Sequence, residues 1–259
     1  MILLTNDDGI KSKGILAIRK ELERIDDVFV IAPLRQRSGI GKALSFEINL
    51  YREKMLDGYE TYAIDGNPAD AVLLTLTELL SNKPKIVVAG INEGPNLGLE
   101  DFLNSGTIGA VMEAALHGVP GVSVSLVARH SHDYDKLTLS DFRIAAIVGS
   151  LVVEYILKYG MPEGVDFINV NVPLNLSGYN IKVTKVGWNY YYDIYERHGD
   201  KFKVKCWSID KYITEAGSDI EAIKNGFISI TPVSLRNLST QIRIDNLANF
   251  VESRVERHI

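Results

Sequence analysis

Residues 1–32 read MILLTNDDGIKSKGILAIRKELERIDDVFVIA, and this stretch decides the fold. The apolar run at residues 2–5 predicts a buried strand, Ser12 predicts a helix N-cap, and residues 28–32 predict a second strand. The apolar face of the intervening helix would consist of Ile15, Ile18 and Leu22. A strand, a helix and a strand in this order form a βαβ unit, which indicates a mostly parallel sheet.

The same alternation continues along the chain. Further strands are predicted over residues 86–89, 122–127, 167–172 and 226–231, and helices over residues 69–80, 107–117 and 140–159. Ser140 is the expected cap of the last of these helices. A chain of 259 residues can form one large domain with a sizeable core, so we expect a single α/β domain over residues 1–259.

Composition restricts the class of partner and the compartment. The formal net charge of −5 argues against a nucleic-acid duplex or an anionic membrane as partner, because both require a basic face. The apolar stretches are too short to span a bilayer. The single cysteine, Cys206, cannot form an intrachain disulfide, and the chain starts with a strand rather than a secretory leader. We therefore expect a cytoplasmic protein.

A polar loop follows the first strand directly, with the sequence Asn6-Asp7-Asp8-Gly9. Two adjacent, partly buried carboxylates repel each other and raise each other's pKa, so this pair favours a bound cation. The alternative interpretation is an ordinary turn, since Asn, Asp and Gly dominate turns for conformational reasons.

Two further loops follow predicted strands. Ser38 comes after the strand at residues 28–32, and Asn92 comes after the strand at residues 86–89. If these strands are parallel neighbours of the first, all three loops open at the same edge of the sheet. Carboxylate, hydroxyl and amide oxygens are the hard donors that Mg²⁺ or Mn²⁺ prefers, whereas zinc would favour histidine or cysteine. The predicted ligands of one divalent ion are Asp7, Asp8, Ser38 and Asn92.

The turn Ser105-Gly106-Thr107 lies at the start of the helix predicted over residues 107–117. A helix N-terminus preceded by small residues offers backbone N–H groups and a favourable dipole to an anion, so this turn predicts a phosphate site. The alternative is that Ser105 serves only as a cap and Gly106 only as a loop glycine.

Seven motifs along the chain resemble one known family. They are LLTNDDGI (3–10), APLRQRSGIG (32–41), GNPADAV (66–72), AGINEGPNLG (89–98), SGTIGAVMEAALHGVP (105–120), FINVNVP (167–173) and GFISITP (226–232). In this order and over nearly the whole chain, they resemble the survival-protein SurE family of metal-dependent 5′/3′-nucleotidases. The resemblance implies a three-layer αβα Rossmann-like core and hydrolysis of nucleoside 5′- or 3′-monophosphates, with short polyphosphate as a substrate of some members.

The resemblance also implies roles for single residues. Its metal ligands correspond to Asp7, Asp8, Ser38 and Asn92, and its phosphate-facing positions correspond to Asn96 and the turn Ser105-Gly106-Thr107. We expect Asp7, Asp8 and Asn96 to be catalytic and Asn6 to join the substrate-binding residues. The chain departs from the family pattern at Arg37, where glutamine is frequent, and at Asn67, where threonine is frequent.

Two other classes of enzyme fit the sequence less well. Haloacid-dehalogenase-type phosphatases separate their two aspartates by one residue, whereas Asp7 and Asp8 are adjacent. A dinucleotide-binding oxidoreductase requires a GxGxxG motif after the first strand, and this chain does not have it. One alternative stays open, namely a metal-stabilised nucleotide-binding regulatory protein without turnover.

Aromatic residues are concentrated near the C-terminal end, in residues 188–207. Trp188, Tyr190, Tyr191, Tyr192 and Tyr195 crowd one predicted arm of a projecting hairpin, and the second arm alternates lysines with apolar residues. Uncovered aromatic surface of this kind is typical of an interface core. The family resemblance also implies dimers or tetramers with exchanged C-terminal elements. We therefore expect a homodimer or homotetramer in which this hairpin contacts a neighbouring subunit and the terminal segment 239–259, with a helix over residues 244–255, is exchanged as well. The alternative is a hairpin folded back on its own domain.

Overall fold

The computed structural model describes residues 1–239, 245–247 and 251. The strands are β1 (Ile2–Thr5), β2 (Val28–Pro33), β3 (Leu50–Lys54), β4 (Glu60–Ile64), β5 (Ile86–Glu93), β6 (Gly121–Val127), β7 (Phe167–Pro173), β8 (Ile181–Val183), β9 (Tyr195–His198), β10 (Lys201–Val204) and β11 (Ile228–Val233). The helices are α1 (Lys13–Leu22), α2 (Pro68–Leu74), α3 (Gly98–Asn104), α4 (Gly106–Leu116), α5 (Arg143–Tyr159) and α6 (Asp219–Lys224). Within the predicted terminal helix over residues 244–255, the described residues 245–247 and 251 are helical, and the rest lies outside the described residues, as does most of segment 239–259.

Nine strands form one sheet in the order β3-β4-β2-β1-β5-β6-β7-β11-β8. The six strands from β4 to β7 in this order are mutually parallel, whereas β3 and β11 run antiparallel to their neighbours β4 and β7. The prediction of a mostly parallel sheet is confirmed.

Helices cover both faces of this sheet. On one face, α1 and α5 pack against alternate strand residues such as Ile2 and Leu4. On the other face, α2 and α4 pack against the intervening residues, for example Leu3. Because successive strand side chains point to opposite faces, each strand contributes to both hydrophobic clusters. The fold therefore has the three αβα layers expected.

The strand order reverses at the centre of the sheet, which determines where a ligand can bind. Strand β1 pairs with β2 on one side and with β5 on the other. The chain continues outward from β2 to β4 on the first side, and from β5 through β6 to β7 on the second. Connections leave in opposite directions at such a switch point, so a crevice opens at the carboxyl ends of β1 and β5.

Two sequence predictions needed correction, and two strands were missed. The helix predicted over residues 69–80 is α-helical only to Leu74. Residues Thr75–Leu79 that follow form a π-helical turn. Ser140 does not cap α5, because a 3₁₀ turn over Leu139–Phe142 precedes this helix and Thr138 caps the turn through Asp141. Strands β3 and β4 were not predicted, since β3 is mostly exposed and has no apolar alternation.

The hairpin predicted over residues 188–207 is shorter in the structure. Only β9 and β10 pair with each other, and they form a separate two-stranded sheet. The aromatic residues 188–192 precede β9 in an irregular segment and lie outside the hairpin itself. Within the described part of the chain, no helix is both long and apolar enough to cross a membrane.

Candidate metal centre and substrate cavity

Asp7 lies at the carboxyl end of β1 and is only 3% exposed. The Thr107 hydroxyl donates a hydrogen bond to its Oδ1 at 2.6 Å, and the Thr107 backbone N–H donates to its Oδ2 at 3.2 Å. Burial raises the pKa of Asp7, and the hydrogen bonds from Thr107 oppose this shift. The N-terminus of α4 therefore fixes the orientation of this carboxylate.

Asp8 is partly exposed and is held by the carboxyl end of β5. Its Oδ2 accepts a hydrogen bond from the Glu93 backbone N–H at 2.9 Å. Burial raises the pKa of Asp8 well above its usual value, and the neighbouring charges of Asp7 and Glu93 raise it further. Since both charged neighbours are acidic, a cation between these carboxylates would offset the cost of keeping them ionised.

Ser38 and Asn92 complete the predicted ligand set. The Arg37 backbone N–H donates to the Asp7 carbonyl oxygen at 2.7 Å, which brings the Ser38 loop beside β1. The Asn92 side-chain nitrogen donates to the Gly94 carbonyl oxygen at 2.9 Å, and its own carbonyl oxygen is left for a ligand. Ser38, Asn92 and Asp7 line one cavity.

These residues fit a hard divalent cation. The donor atoms would be carboxylate, hydroxyl and amide oxygens, the types that Mg²⁺ and Mn²⁺ accept. The described residues contain no group of three or more His, Cys, Asp or Glu side chains arranged for a metal. Any metal at this site must therefore use neutral oxygen ligands beside the Asp7–Asp8 pair.

Asn96 lines the same cavity and is 2% exposed. Its side-chain nitrogen donates to the Ser125 hydroxyl at 2.8 Å, and its backbone N–H donates to the Asn171 side chain at 3.1 Å. The backbone carbonyl oxygen of Asn96 accepts hydrogen bonds from the side-chain nitrogens of Asn169 and Asn171. An amide nitrogen carries two hydrogens, so one N–H of the Asn96 side chain stays available to a ligand.

The Ser105-Gly106-Thr107 turn contacts both helix α4 and the Asp7 carboxylate. The Ser105 hydroxyl caps α4 by accepting from the Ile108 N–H at 3.1 Å, and Ser105 also lines the cavity. A Cβ atom on Gly106 would lie 2.9 Å from the Asp7 Cβ, so only glycine permits this approach. The Thr107 backbone N–H and hydroxyl both donate to the Asp7 carboxylate and are therefore not available to a ligand.

Asn6 was predicted to bind substrate, but the structure does not bring it to the cavity. Its side-chain nitrogen donates to the Gly9 carbonyl oxygen at 3.1 Å and to the Ser12 hydroxyl at 2.8 Å. Ser12 itself is the N-cap of α1, as predicted. Asn6 therefore stabilises the loop that carries Asp7 and the start of the following helix.

The cavity has a volume of about 550 Å³ and extends well beyond the predicted metal ligands. Residues from segments 189–194 and 204–212 also line it. A volume of this size lies within the range of small-molecule sites. The aromatic residues that line it are Tyr134, Tyr190, Tyr191, Tyr192, Trp207 and Tyr212.

Sequence reasoning missed Asp101, a cavity residue on α3 that is only 6% exposed. The Tyr191 hydroxyl donates to its Oδ1 at 2.6 Å, and the Tyr212 hydroxyl donates to its Oδ2 at 2.9 Å. Burial raises the pKa of Asp101 to about 7, against the lowering effect of these two hydrogen bonds. Nothing in the sequence separates Asp101 from its neighbour Glu100, because both are acidic residues in the first turn of one helix.

Comparison with known proteins identifies relatives over most of the chain. The family model described as survival protein SurE matches residues 2–193. The chain is 44% identical to the 5′-nucleotidase SurE of Methanothermobacter thermautotrophicus over 190 residues, which is 72% of each protein. It is 37% identical to the 5′-nucleotidase SurE of Archaeoglobus fulgidus over 248 residues, which is 94% of each protein.

A solved structure agrees with this result. The crystal structure of the SurE protein from Aquifex aeolicus superposes with a TM-score of 0.77 at 34% identity, covering 96% of this chain and 98% of that one. The Aquifex aeolicus protein therefore matches this chain in sequence and in fold. The chain belongs to the survival protein SurE family.

Proposed function

We propose that this chain is a metal-dependent phosphomonoester hydrolase that releases phosphate from nucleoside 5′- or 3′-monophosphates. The observation that carries the proposal is the buried Asp7 carboxylate, which lines a cavity of about 550 Å³ and has the second carboxylate, Asp8, next to it in the chain. The curated relatives named 5′-nucleotidase SurE support the same activity. Short polyphosphate is a second substrate class that the family resemblance suggests.

The proposed cofactor is one Mg²⁺ or Mn²⁺ ion per subunit, held by Asp7, Asp8, Ser38 and Asn92. Such an ion, when bound, polarises phosphoryl oxygens and lowers the pKa of a water molecule. Asp7 is the carboxylate whose orientation Thr107 fixes, so it serves either as a ligand alone or as the acceptor of a proton from the attacking water.

Neutral donors would orient the transferred phosphoryl group. The Ser105 hydroxyl accepts from Ile108 and keeps its own hydrogen for donation, and the Asn96 side chain keeps one N–H. Both residues line the cavity and are held by buried partners, so these donors are positioned before substrate arrives. Donors arranged in advance stabilise the charge that develops in a transition state.

Phosphate release from a panel of nucleoside monophosphates tests this function. We expect turnover with Mg²⁺ or Mn²⁺ and complete loss in excess EDTA. Metal at about 100 times its Kd should also stabilise the fold by roughly 2.7 kcal/mol, which raises the melting temperature. Full activity in excess EDTA would disprove the metal site, whereas tight nucleotide binding without phosphate release would favour the regulatory alternative.

The remaining proposals concern assembly and location. We propose a single domain that assembles into a homodimer or homotetramer through the β9–β10 hairpin, which exposes Tyr195 and Phe202. The exchange of the terminal segment between subunits stays a prediction.

We propose the cytoplasm as the compartment, because a single cysteine is typical of chains that need no disulfide.

A further inference from the structure

The two ends of the hairpin-bearing segment meet at one buried carboxylate. Tyr191 precedes β9 and Tyr212 follows β10, and both hydroxyls donate to Asp101 on α3. We call these three residues the Asp101 clamp. The clamp therefore joins both ends of the segment 189–212 to the helix that lies between the Asn96 loop and the Ser105 turn.

Stability alone does not explain a carboxylate at this position. Asp101 is almost completely buried, and among the described residues the charged group that acts on it is Asp219, which is also acidic. Burying a carboxylate without a cationic partner is unfavourable, and an apolar side chain would pack there at lower cost. What the carboxylate provides is two acceptor oxygens, one for each tyrosine hydroxyl, and this fixes the directions of both rings.

The clamped segment lines the same cavity as three of the predicted metal ligands. Asp7, Ser38 and Asn92 line it together with Tyr190, Tyr191 and their aromatic neighbours. A phosphoryl group is small compared with about 550 Å³, so the remaining space must take the rest of the ester. Aromatic faces stack with any nucleobase, because every base has a π-face.

We propose that Asp101 is a positioning residue that, through Tyr191 and Tyr212, holds the aromatic wall against which the nucleoside of the substrate packs. Asp101 thereby determines the preference for nucleoside monophosphates over small phosphate esters. This inference rests on the proposed function. It assigns no contact with the reacting atoms to Asp101.

The variants that test the clamp are Tyr191→Phe, Tyr212→Phe, their combination and Asp101→Asn. The phenylalanine variants keep each ring and remove only the hydroxyl that Asp101 accepts. The matched control is Tyr51→Phe, since the Tyr51 hydroxyl also donates to a carboxylate, that of Asp65 at 3.4 Å, but outside the cavity. Melting temperatures of the metal-loaded proteins show whether each variant is folded.

Steady-state kinetics with AMP and with glycerol 2-phosphate separates the two ends of the cavity. We expect the double variant to raise KM for AMP about ten-fold, since two ordinary hydrogen bonds together contribute enough for one such factor. The kcat for AMP and the kcat/KM for glycerol 2-phosphate should stay within about two-fold of wild type, as should all constants of Tyr51→Phe. Calorimetry should show the same ten-fold weakening for adenosine and unchanged affinity for inorganic phosphate.

Each other outcome counts against a specific statement. An equal loss on AMP and glycerol 2-phosphate would show that Asp101 supports the whole site rather than the nucleoside wall. Unchanged KM and adenosine affinity in a folded double variant would overturn the positioning role. A wild-type protein that hydrolyses glycerol 2-phosphate but not AMP would instead refute the proposed nucleotidase function, independently of the clamp variants.

Discussion

The carboxyl-end loops of the parallel strands and the segment 189–212 line the same cavity but are held in different ways. Asp7 and Asn96 are buried at 3% and 2% exposure and are fixed by hydrogen bonds from neighbouring elements of the core. In the segment, Tyr195 and Phe202 are 58% and 60% exposed, and β9 and β10 pair only with each other. The comparison indicates that the sheet positions the chemistry, whereas a few side-chain contacts position the wall for the leaving group.

The strongest test of the sheet-held end is the substitution of its carboxylates. Asp7→Asn or Asp8→Asn should lower kcat at least about a hundred-fold, because even residues that only support metal ligands contribute up to this factor. The fold should persist, since the Thr107 hydroxyl can accept as well as donate and so can bond to an asparagine amide. Phosphate release and thermal denaturation measure the two effects.

Ser38→Ala is the matched comparison at the same end of the cavity. Its loss should be about ten-fold or less, because water can replace a neutral hydroxyl ligand. Near-normal rates for both aspartate variants would contradict the proposed metal centre. An effect of Ser38→Ala as large as that of Asp7→Asn would show that the charge of the ligand does not control activity.

The next test removes the exposed hairpin. Residues 190–194 and 204–208 line the cavity, so the deletion should cover only residues 195–203, with a short Gly-Ser closure. If the hairpin joins subunits, light scattering should report at least a dimer for the wild type and a mass reduced toward the monomer for the deletion. Hydrolysis of glycerol 2-phosphate should continue, because the metal end is held by the sheet. A wild-type monomer, or an assembly that the deletion leaves unchanged, would show that the hairpin packs within its own chain.

The last test concerns Asp101, which links the two regions. Its pKa is about 7 in the folded protein against a usual value of 3.8, so between these values the folded chain keeps a proton that the unfolded chain has lost. The unfolding free energy should therefore fall as pH rises through this window, by at most about 1.4 kcal/mol per pH unit, and level off above it. Asp101→Asn removes this dependence.

Urea denaturation of the wild type and Asp101→Asn at several pH values measures this difference. The advantage of the wild type over the variant should decline from about pH 4 to about pH 7, since other groups titrate equally in both proteins. Parallel stability curves for the two proteins would contradict the raised pKa of Asp101.

Sequence patterns predicted the sheet-held region well because its signals are local. A buried strand is a short apolar run, and the loop after it carries turn residues, so β1, β5 and β6 could be located from composition. The Ser12 cap of α1 could also be predicted, because a cap bonds to a backbone N–H only a few residues away. The exposed strand β3 has no apolar face to bury, and this local signal is missing there.

Sequence patterns did not predict the roles of side chains whose hydrogen-bond partners are distant in the sequence or were not recognised. Asn6 follows a strand like Asp7, yet its amide turns to Gly9 and Ser12 rather than to the cavity. The position of Thr107 predicted a phosphate contact, but its hydroxyl serves Asp7, 100 residues away. Asn169 and Asn171 alternate with apolar residues in β7, and this alternation of amides in a buried strand was a usable sign of a polar network.

By itself, the sequence determined the α/β class and the order of polar loops after its strands, because periodicity and turn chemistry are properties of neighbouring residues. The tertiary structure alone decided which loops share a cavity and which carboxylate lies beneath the aromatic wall. Asp101 meets Tyr191 and Tyr212 across 90 and 111 residues of chain. Contacts of that separation arise from the packing of whole elements, and no short sequence pattern encodes them.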